Sequence, residues 1–587
     1  MALTTTDWLI ILAFFAVSLL VGLWVTRRAG RSVSEYFLSG RNMPWWLLGV
    51  SMVATTFAID TPNLVTGIVR QNGVSGNWVW WAFLLTGMLT VFIYARLWRR
   101  SSVTTDLEFY ELRYSGKPAA FLRGFRAVYL GVFFNIMIMA NVCLAAVKLG
   151  GVALGLSPVE TLLLASLVTV VYSSLGGLRG VIITDFLQFI LAMAGSIWAT
   201  TYVIGLPEVG GLGELLAHPS VSGKLSLLPD FNDKAMVLSV LIIPLAVQWW
   251  SVWYPGAEPG GGGYIAQRML SAKNEHHAIG ATLLFNFAHY ALRPWPWILM
   301  ALASLILYPN LDSLAQAFPH IPDSMIRDDL AYPAMLAFLP ANLLGLLIAS
   351  LIAAFMSTIS THLNWGSSYV VNDCYKRFIR PEAPERELVL VGRVSTVTLM
   401  ILAGAMALYL EDAMQAFNIL LSIGAGTGLI FILRWFWWRI NAATEIAGMT
   451  ISFVIAVYFE FFHPGELETH YKLILSVGIT TAGWLLVTYL TPATGREKLQ
   501  EFYREIRPAG PGWQRIRRQL RENGEIVRTD SHSIPQGILN MVVGSLAVYS
   551  FLFGTGYVIY GSLGTGLGLL VLAGAGIAFL VWQIIRR

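Results

Sequence analysis

Long runs of apolar residues, separated by short polar or charged stretches, dominate this chain from one end to the other. A helix needs about 20 apolar residues to cross a bilayer. We predict fifteen such segments, at residues 8–26, 45–70, 76–97, 124–149, 158–176, 181–205, 236–268, 276–308, 331–371, 387–410, 413–438, 443–462, 471–491, 537–560 and 563–585. The pattern predicts an all-α polytopic membrane protein.

Composition agrees with this class. Of the 587 residues, 56% are hydrophobic and only 12% are charged, against roughly 25% charged in soluble domains. The net charge of +5 resides in the loops and does not indicate nucleic-acid binding. Cys143 and Cys374 are too far apart to imply a disulfide framework. The first apolar run, 8–25, is long enough to stay as a helix rather than act as a cleaved signal peptide.

The loop charges orient the spans, because short cytoplasmic loops are rich in Lys and Arg. Basic residues cluster after the first and third segments and in later alternate loops, for example Arg27, Arg28, Arg99, Arg100, Arg123, Arg126, Arg179, Arg268, Lys376, Arg377, Arg434 and Arg439. The intervening loops are neutral or acidic, with Glu208, Glu214, Asp230, Asp312 and Asp328. We therefore expect an inner-membrane protein with its amino terminus outside and its carboxyl terminus in the cytoplasm.

Two of the predicted spans are interrupted by residues that disfavour helix. Segment 236–268 contains "WYPGAEPGGGG" at 253–263, and segment 45–70 contains Asp60-Thr61-Pro62-Asn63. The glycine run lacks the lysine and hydroxyl of a phosphate-binding loop. Irregular backbone at membrane depth is tolerated only where it lines a cavity or is buried in protein. Both segments are therefore predicted to be broken helices.

The two interrupted segments each begin a block of five spans, and the blocks run through the membrane in opposite directions. This arrangement is typical of inverted-repeat transporters, whose binding site lies where the broken helices meet. The predicted organisation is an extra helix and loop at 1–44, a first repeat at 45–205, an extracellular loop at 206–235, a second repeat at 236–438, two accessory helices at 439–491, a cytoplasmic linker at 492–535 and two further helices at 536–587. The linker is either amphipathic helix lying along the inner leaflet or a solvated connector.

Four separated motifs resemble the sodium:solute symporter family. They are "SEYFLSGRNMPWWLLGVSMVAT" (34–55), "YSSLGGLRGVIITDFLQ" (172–188), "YIAQRMLSAK" (264–273) and "LIAAFMSTISTHLNWGSSYVVNDCYKRF" (351–378). That family includes sodium–galactose, sialic acid and proline symporters. The resemblance covers about residues 8–440 and implies a LeuT-type 5+5 inverted repeat. The last two spans fall outside the shared core.

The resemblance implies a sodium site between the first broken helix and segment 331–371. By position, its ligands would be the carbonyl oxygens of Ala54, Phe57 and Ala354 and the hydroxyls of Ser357 and Thr358. Unwound backbone supplies oxygens to a cation without burying a second charge. The alternative is that the two hydroxyls only bond to the preceding helical turn.

Some relatives bind a second sodium ion with an aspartate at the position of Asp185. The matching hydroxyls here are Ser357, Ser360 and Thr361. An ionised carboxylate facing lipid would cost about 3 kcal/mol or more, so Asp185 needs a polar partner. The alternative role is a structural or gating acid close to Arg179.

The substrate site departs from the sugar-transporting relatives, which place a glutamine and a glutamate where this chain has Thr61 and Phe83. Ionisable residues near mid-depth are functional candidates, and Arg293 could clamp a carboxylate with two parallel hydrogen bonds. The alternative is an internal pair of Arg293 with Asp60 or Glu258. The full set of substrate candidates is Thr56, Asp60, Thr61, Trp253, Tyr254, Glu258, His289 and Arg293.

The sequence thus predicts a sodium-coupled symporter that imports a small organic solute by alternating access. An amino acid or another charged solute is favoured, and a sugar or sialic-acid-type solute is the alternative. Na⁺, the solute and the bilayer are the expected partners, with no nucleic acid, no organic cofactor and a monomeric chain. An enzyme is not expected, because the only dense histidine pair, His276-His277, lies in a loop.

Overall fold

The computed structural model describes residues 4–58, 60–154, 156–251, 258–319, 326–340, 343–409, 426–462, 467–525 and 533–585. Within these ranges the regular structure is helical, apart from one parallel bridge between Met43 and Ala272. The principal helices, in chain order, are α1 Thr5–Ala29, α2 Trp45–Thr55, α3 Thr61–Asn72, α4 Val74–Ser101, α5 Gly116–Val147, α6 Pro158–Ile204, α7 Lys234–Gln248, α8 Gly263–Ser271, α9 Glu275–Leu307, α10 Leu344–Ile379, α11 Glu385–Tyr409, α12 Gly428–Leu433, α13 Ala442–Phe459, α14 His470–Leu490, α15 Arg496–Ile506, α16 Gln514–Glu522, α17 Ile534–Ile559 and α18 Leu563–Gln583.

Eleven of these helices are long and apolar enough to cross a membrane, within the described part of the chain. The fifteen predicted segments exceed this number for three reasons. Segments 158–176 and 181–205 both lie in the 47-residue element α6, which is counted as one span although its backbone leaves helical geometry at Gly177; 47 helical residues rise about 70 Å, enough for two crossings. Segments 45–70 and 236–268 are divided between shorter helices, and 413–438 lies partly outside the described residues.

Gly177 is the point at which α6 departs from helical geometry, with φ 54° and ψ −160°. A Cβ atom at this position would lie 2.6 Å from the carbonyl oxygen of Tyr36. Left-handed backbone of this kind and close backbone approach both favour glycine. Hydropathy divides α6 into two segments because the "SSLGGLRG" sequence around this bend is polar.

The first broken helix consists of α2 and α3. Helix α2 ends at Thr55, and α3 begins at Thr61 with Pro62 in its first turn. Proline is tolerated there because the first N–H groups of a helix have no intrahelical partner. The intervening backbone includes Phe57 and Ala58, which are not helical. The predicted interruption is therefore present.

The second break separates α7 from α8. Gly260 and Gly261 adopt φ angles of 89° and 88°, which residues with a Cβ atom rarely adopt. A Cβ on Gly260 would also lie 2.9 Å from the ring of Tyr94. All of residues 258–272 are buried, so the glycine run packs inside the protein. The neighbouring candidates Trp253 and Tyr254 lie outside the described residues.

The bundle is held together by contacts between helices distant in sequence. Helix α6 packs against α10 and α1, α2 packs against α9, and α17 pairs with α18. In the linker, α15 and α16 bury apolar side chains such as Phe502 and Leu520 against the protein. The indole of Trp513 donates to the carbonyl of Trp435 at 2.8 Å. The apolar face of the linker therefore packs on the bundle.

Candidate functional site

The predicted first sodium site lies where α10 meets the break after α2. Ala54, Phe57, Ala354, Ser357 and Thr358 are all buried there. The Thr358 hydroxyl of α10 lies 3.1 Å from the Thr55 carbonyl oxygen at the end of α2. It also lies 3.2 Å from the Ala354 carbonyl oxygen, one turn earlier on its own helix. The Ala54 carbonyl accepts from the Phe57 N–H at 3.0 Å. Carbonyl and hydroxyl oxygens of both elements thus meet at the break.

Ser357 joins this region to Asp185 on α6. Its hydroxyl donates to Asp185 Oδ1 at 2.7 Å, and Ser51 of α2 donates to Asp185 Oδ2 at 2.5 Å. Arg268 of α8 lies 3.5 Å from the same carboxylate, and both charged side chains are fully buried. The cation paired with Asp185 is therefore Arg268 rather than Arg179.

Arg268 also binds the hydroxyls that surround Asp185. It donates to Thr361 at 2.6 Å, to Ser51 at 3.1 Å and to Thr55 at 3.3 Å. Ser360 donates instead to the Ser357 carbonyl at 3.1 Å. Of the predicted second set, Asp185 and Ser357 are in direct contact, and Thr361 connects to them through Arg268.

Ser51, Thr55 and Arg268 are site residues that the sequence pattern does not single out. Arg268 lies within the motif "YIAQRMLSAK", but the charge pattern assigns it only to a cytoplasmic loop. An arginine placed five residues after a predicted membrane break was the signal that could have indicated a buried role.

Arg293 and His289 of α9 face the same break from the other side. The Arg293 guanidinium donates to the Thr56 carbonyl at 2.5 Å and to His289 Nε2 at 3.1 Å. Because Nε2 accepts, the neutral His289 carries its proton on Nδ1, which lies 2.9 Å from the Thr56 hydroxyl. Thr56 in turn donates to the Val53 carbonyl at 2.9 Å. This relay anchors the end of α2.

Aromatic rings surround this group. Trp80 stacks on Tyr290 with ring centroids 5.8 Å apart, and it meets His289 edge-on at 5.9 Å. The Arg293 guanidinium lies 5.2 Å from the Trp297 ring centroid. Asp60 and Thr61, at the start of α3, are half-buried on the far side of the break.

Arg293 and Glu258 do not form the ion pair that was the predicted alternative to solute binding. Glu258 Oε1 lies 2.6 Å from Arg126 of α5, because the glycine turn carries this residue to α5 rather than to α9. Glu258 Oε2 is buried without a partner in the described part of the chain. Arg293 likewise contacts no carboxylate among the described residues, since its hydrogen bonds go to Thr56 and His289.

Asp106, in the loop between α4 and α5, supports the start of α8. Its carboxylate accepts from the Gly263 N–H at 2.8 Å and from the Tyr369 hydroxyl at 2.5 Å. Burial, together with the nearby charge of Glu258, raises the pKa of Asp106 to about 6. This residue was not identified from the sequence.

The sequence profile described as the sodium:solute symporter family matches residues 36–452. The match contains three of the four motifs completely and all but two residues of the first. Helices α17 and α18 lie beyond it.

Two relatives and one solved structure show the extent of the similarity. A sodium/glucose cotransporter of Vibrio parahaemolyticus is 27% identical over 482 residues, which cover 78% of this chain and 86% of the relative. A sodium/mannose cotransporter of Bos taurus is 28% identical over 500 residues, which cover 79% of this chain and 80% of the relative. A Na⁺-coupled sialic acid symporter, solved in a substrate-bound outward-open state, superimposes with a TM-score of 0.67 at 20% identity and covers 84% of this chain and 99% of its own.

The structural likeness shows a shared transporter fold, and the profile covers more than half of the chain. The relatives are membrane transporters and not enzymes. This chain belongs to the sodium:solute symporter family.

Proposed function

We propose that this protein uses a Na⁺ gradient to import a small organic solute that carries a negatively charged group, such as a carboxylate. The two predicted repeats, 45–205 and 236–438, would form the LeuT-type 5+5 inverted repeat, with the solute bound between the two breaks. The amino terminus would lie outside and the carboxyl terminus in the cytoplasm. The chain would work as a monomer.

The observation that carries this proposal is the position of Arg293. It is 2% exposed and lies against the break, and no carboxylate of the described residues contacts it. A buried charge without a counter-ion is costly, and buried charges in proteins are normally paired. Four of the five N–H groups of a guanidinium are occupied by Thr56 and His289. An anionic solute would supply the missing counter-charge and accept from the one remaining N–H, so the clamp of two parallel bonds predicted from the sequence is not available while Thr56 and His289 stay bound.

The solute cavity would be bounded by the aromatic rings around Arg293. Trp80 and Tyr290 offer flat apolar surface, which suits the hydrocarbon part of a solute. Asp60 and Thr61 lie across the break, where Asp60 would meet an ammonium group. An amino acid would satisfy both charged ends.

Sodium at the first site would bind the carbonyls of Ala54, Phe57 and Ala354 and the hydroxyls of Ser357 and Thr358. The contact of Thr358 with the Thr55 carbonyl supports this proposal because it shows that the two elements are close enough to share one ion. Binding there would link α2 to α10. Coupling then requires that Na⁺ bind one conformational state more tightly than the other.

A second sodium ion at Asp185, Ser357, Ser360 and Thr361 would compete with Arg268. The guanidinium now neutralises Asp185, so an arriving Na⁺ would release part of the contact between α8 and α6. Such an exchange would connect ion binding to movement of the second broken helix.

We further propose that Glu258 and Asp106 close the inner side of the pathway. Glu258 ties the glycine turn to α5 through Arg126, and Asp106 ties the start of α8 to Tyr369 of α10. Because residues 258–272 are all buried, release of the solute to the cytoplasm would require these contacts to open. Glu258 would then act in gating and not in solute binding.

The second candidate is a sodium-coupled sugar or sialic-acid-type symporter. The similarity to sodium/glucose and sodium/mannose cotransporters favours it. Sialic acids carry a carboxylate as well as hydroxyls, so an acidic sugar would satisfy Arg293. A neutral hexose would not.

A thermal-shift screen of the purified protein with amino acids, carboxylates, neutral sugars and sialic acid, each with and without Na⁺, tests the proposal. A ligand stabilises a protein by mass action only if it binds the folded state. Stabilisation by an anionic solute that requires Na⁺ is expected. Stabilisation by neutral sugars alone would favour the second candidate in its glucose-type form.

A further inference from the structure

A groove with a volume of about 580 Å³ lies between α9, α17 and α18, away from the breaks. Its walls are apolar and include Leu283, Leu284, Phe287, Val548, Leu580 and Val581. Trp45, the first residue of α2, lies at one end beside His276 and His277. None of the residues assigned above to Na⁺ or to the solute lines this groove.

The groove lies on the lipid-facing side of the protein. Val581 is 42% exposed on its rim, and the neighbouring Trp582 is 52% exposed. From His276 to Phe287 the groove follows twelve residues of α9, a rise of about 16 Å. One leaflet of the hydrocarbon core is about 15 Å thick, half of the whole. The groove therefore has the length and polarity to hold one acyl chain.

Basic residues lie at the start of α9, where the groove begins. His276 lines the groove and is exposed, and the exposed Lys273 precedes α9 by two residues. The nearby acid, Glu275, is paired with Arg100 at 3.1 Å. His277 Nδ1 accepts from the Trp45 N–H at 3.0 Å. Neutral His277 must then carry its proton on Nε2, which leaves that N–H available as a donor. Basic pockets between membrane helices bind the phosphates of anionic lipids.

We propose that an anionic phospholipid occupies this groove, with one acyl chain along α9 and its phosphate at Lys273, His276 and His277. The site depends on α17 and α18, which lie outside the part of the chain that matches the family profile. It also includes Trp45, so the lipid supports the first turn of α2. Lipid binding in this groove does not depend on which solute the protein transports.

Native mass spectrometry of the full chain, titrated with phosphatidylglycerol or phosphatidylcholine, tests this site. The unaltered protein is expected to retain one phosphatidylglycerol in preference to phosphatidylcholine. Val581→Trp, which fills the groove from its lipid-facing rim, should lose the bound lipid, whereas Val581→Ala should keep it. The double variant Lys273→Gln/His276→Gln should lose the preference for the anionic lipid.

The matched control is Arg518→Gln/Arg521→Gln, which removes two exposed basic residues of α16 outside the groove. It should bind phosphatidylglycerol like the unaltered protein. Equal retention of both lipids by the unaltered protein would overturn the proposal. Retention by Val581→Trp of a single, preferred phosphatidylglycerol would also overturn it. The headgroup variants change exposed side chains, so they provide the test even if Val581→Trp fails to fold.

Discussion

Asp185 and Arg268 lie 3.5 Å apart inside the bundle, both fully buried, and the hydroxyl of Ser51 bonds to both of them. This contact joins α2 and α6, which belong to the first predicted repeat, to α8, which belongs to the second. Loss of one partner from a buried ion pair leaves the other charge uncompensated, at a cost of about 3–5 kcal/mol. The pair therefore has a structural role that must be separated experimentally from ion binding.

Asp185→Asn is expected to lower both the stability of the protein and the number of Na⁺ ions carried per solute. Asp185→Asn/Arg268→Gln removes both charges and should recover much of the lost thermal stability without recovering the ion ratio. Thermal unfolding and the reversal potential of transport currents measure the two effects. An unchanged ion ratio in Asp185→Asn would rule out a second sodium site at this residue.

Thr358→Ala and Ser357→Ala should raise the Na⁺ concentration needed for half-maximal uptake. A hydrogen bond or ligand to a charged group contributes about 1.5–3 kcal/mol, which corresponds to a change of roughly tenfold or more. Ser367→Ala is the matched control, because Ser367 is a buried serine on the same helix that bonds only to the Asn364 carbonyl in the described structure. Sodium activation that is the same in all three variants would exclude the first site.

Arg293→Gln should weaken binding of anionic solutes by roughly tenfold to more than a hundredfold, because it removes a charge-assisted contact of about 1.5–3 kcal/mol. Arg293→Lys keeps the charge and should retain part of the binding. Isothermal calorimetry with anionic and neutral analogues of one solute measures the difference. Equal losses for both analogues would show that Arg293 only anchors the break through Thr56 and His289.

Glu258→Gln should open the inner side of the pathway by breaking the pair with Arg126. A cysteine at Ala266, which is now buried, should then react faster with a membrane-impermeant thiol reagent, in a background without Cys143 and Cys374. The charge exchange Glu258→Arg/Arg126→Glu should restore slow labelling. Arg377→Gln, which breaks an exposed pair with Glu111, is the control and should have no effect. Unchanged labelling in Glu258→Gln would contradict a gating role.

Hydropathy and residue chemistry were sufficient to predict the helical membrane class and both breaks. Proline at position 62 and glycine at 260 and 261 impose local geometry wherever the chain goes. The partners of the buried charges were not predictable in this way. Arg268 meets Asp185, and Glu258 meets Arg126, only after helices far apart in sequence have packed, and loop charge patterns carry no information about that packing.

Hydropathy also located the bend in α6, because the polar sequence around Gly177 separates two predicted segments and the backbone leaves helical geometry at that residue. The linker helices α15 and α16 were recognisable as amphipathic, but their sequence did not show that Trp513 and Phe502 pack on the bundle rather than on lipid.

Uptake into proteoliposomes is the most direct test of a symporter that couples Na⁺ to an anionic solute. The purified protein would be reconstituted and given a radiolabelled solute identified in the thermal-shift screen, with an inward Na⁺ gradient or an equal K⁺ gradient. We predict accumulation above the external concentration only with the Na⁺ gradient, and its loss in Arg293→Gln. Equal uptake with the K⁺ gradient, or Na⁺-driven accumulation of a neutral hexose that Arg293→Gln leaves unchanged, would contradict this account.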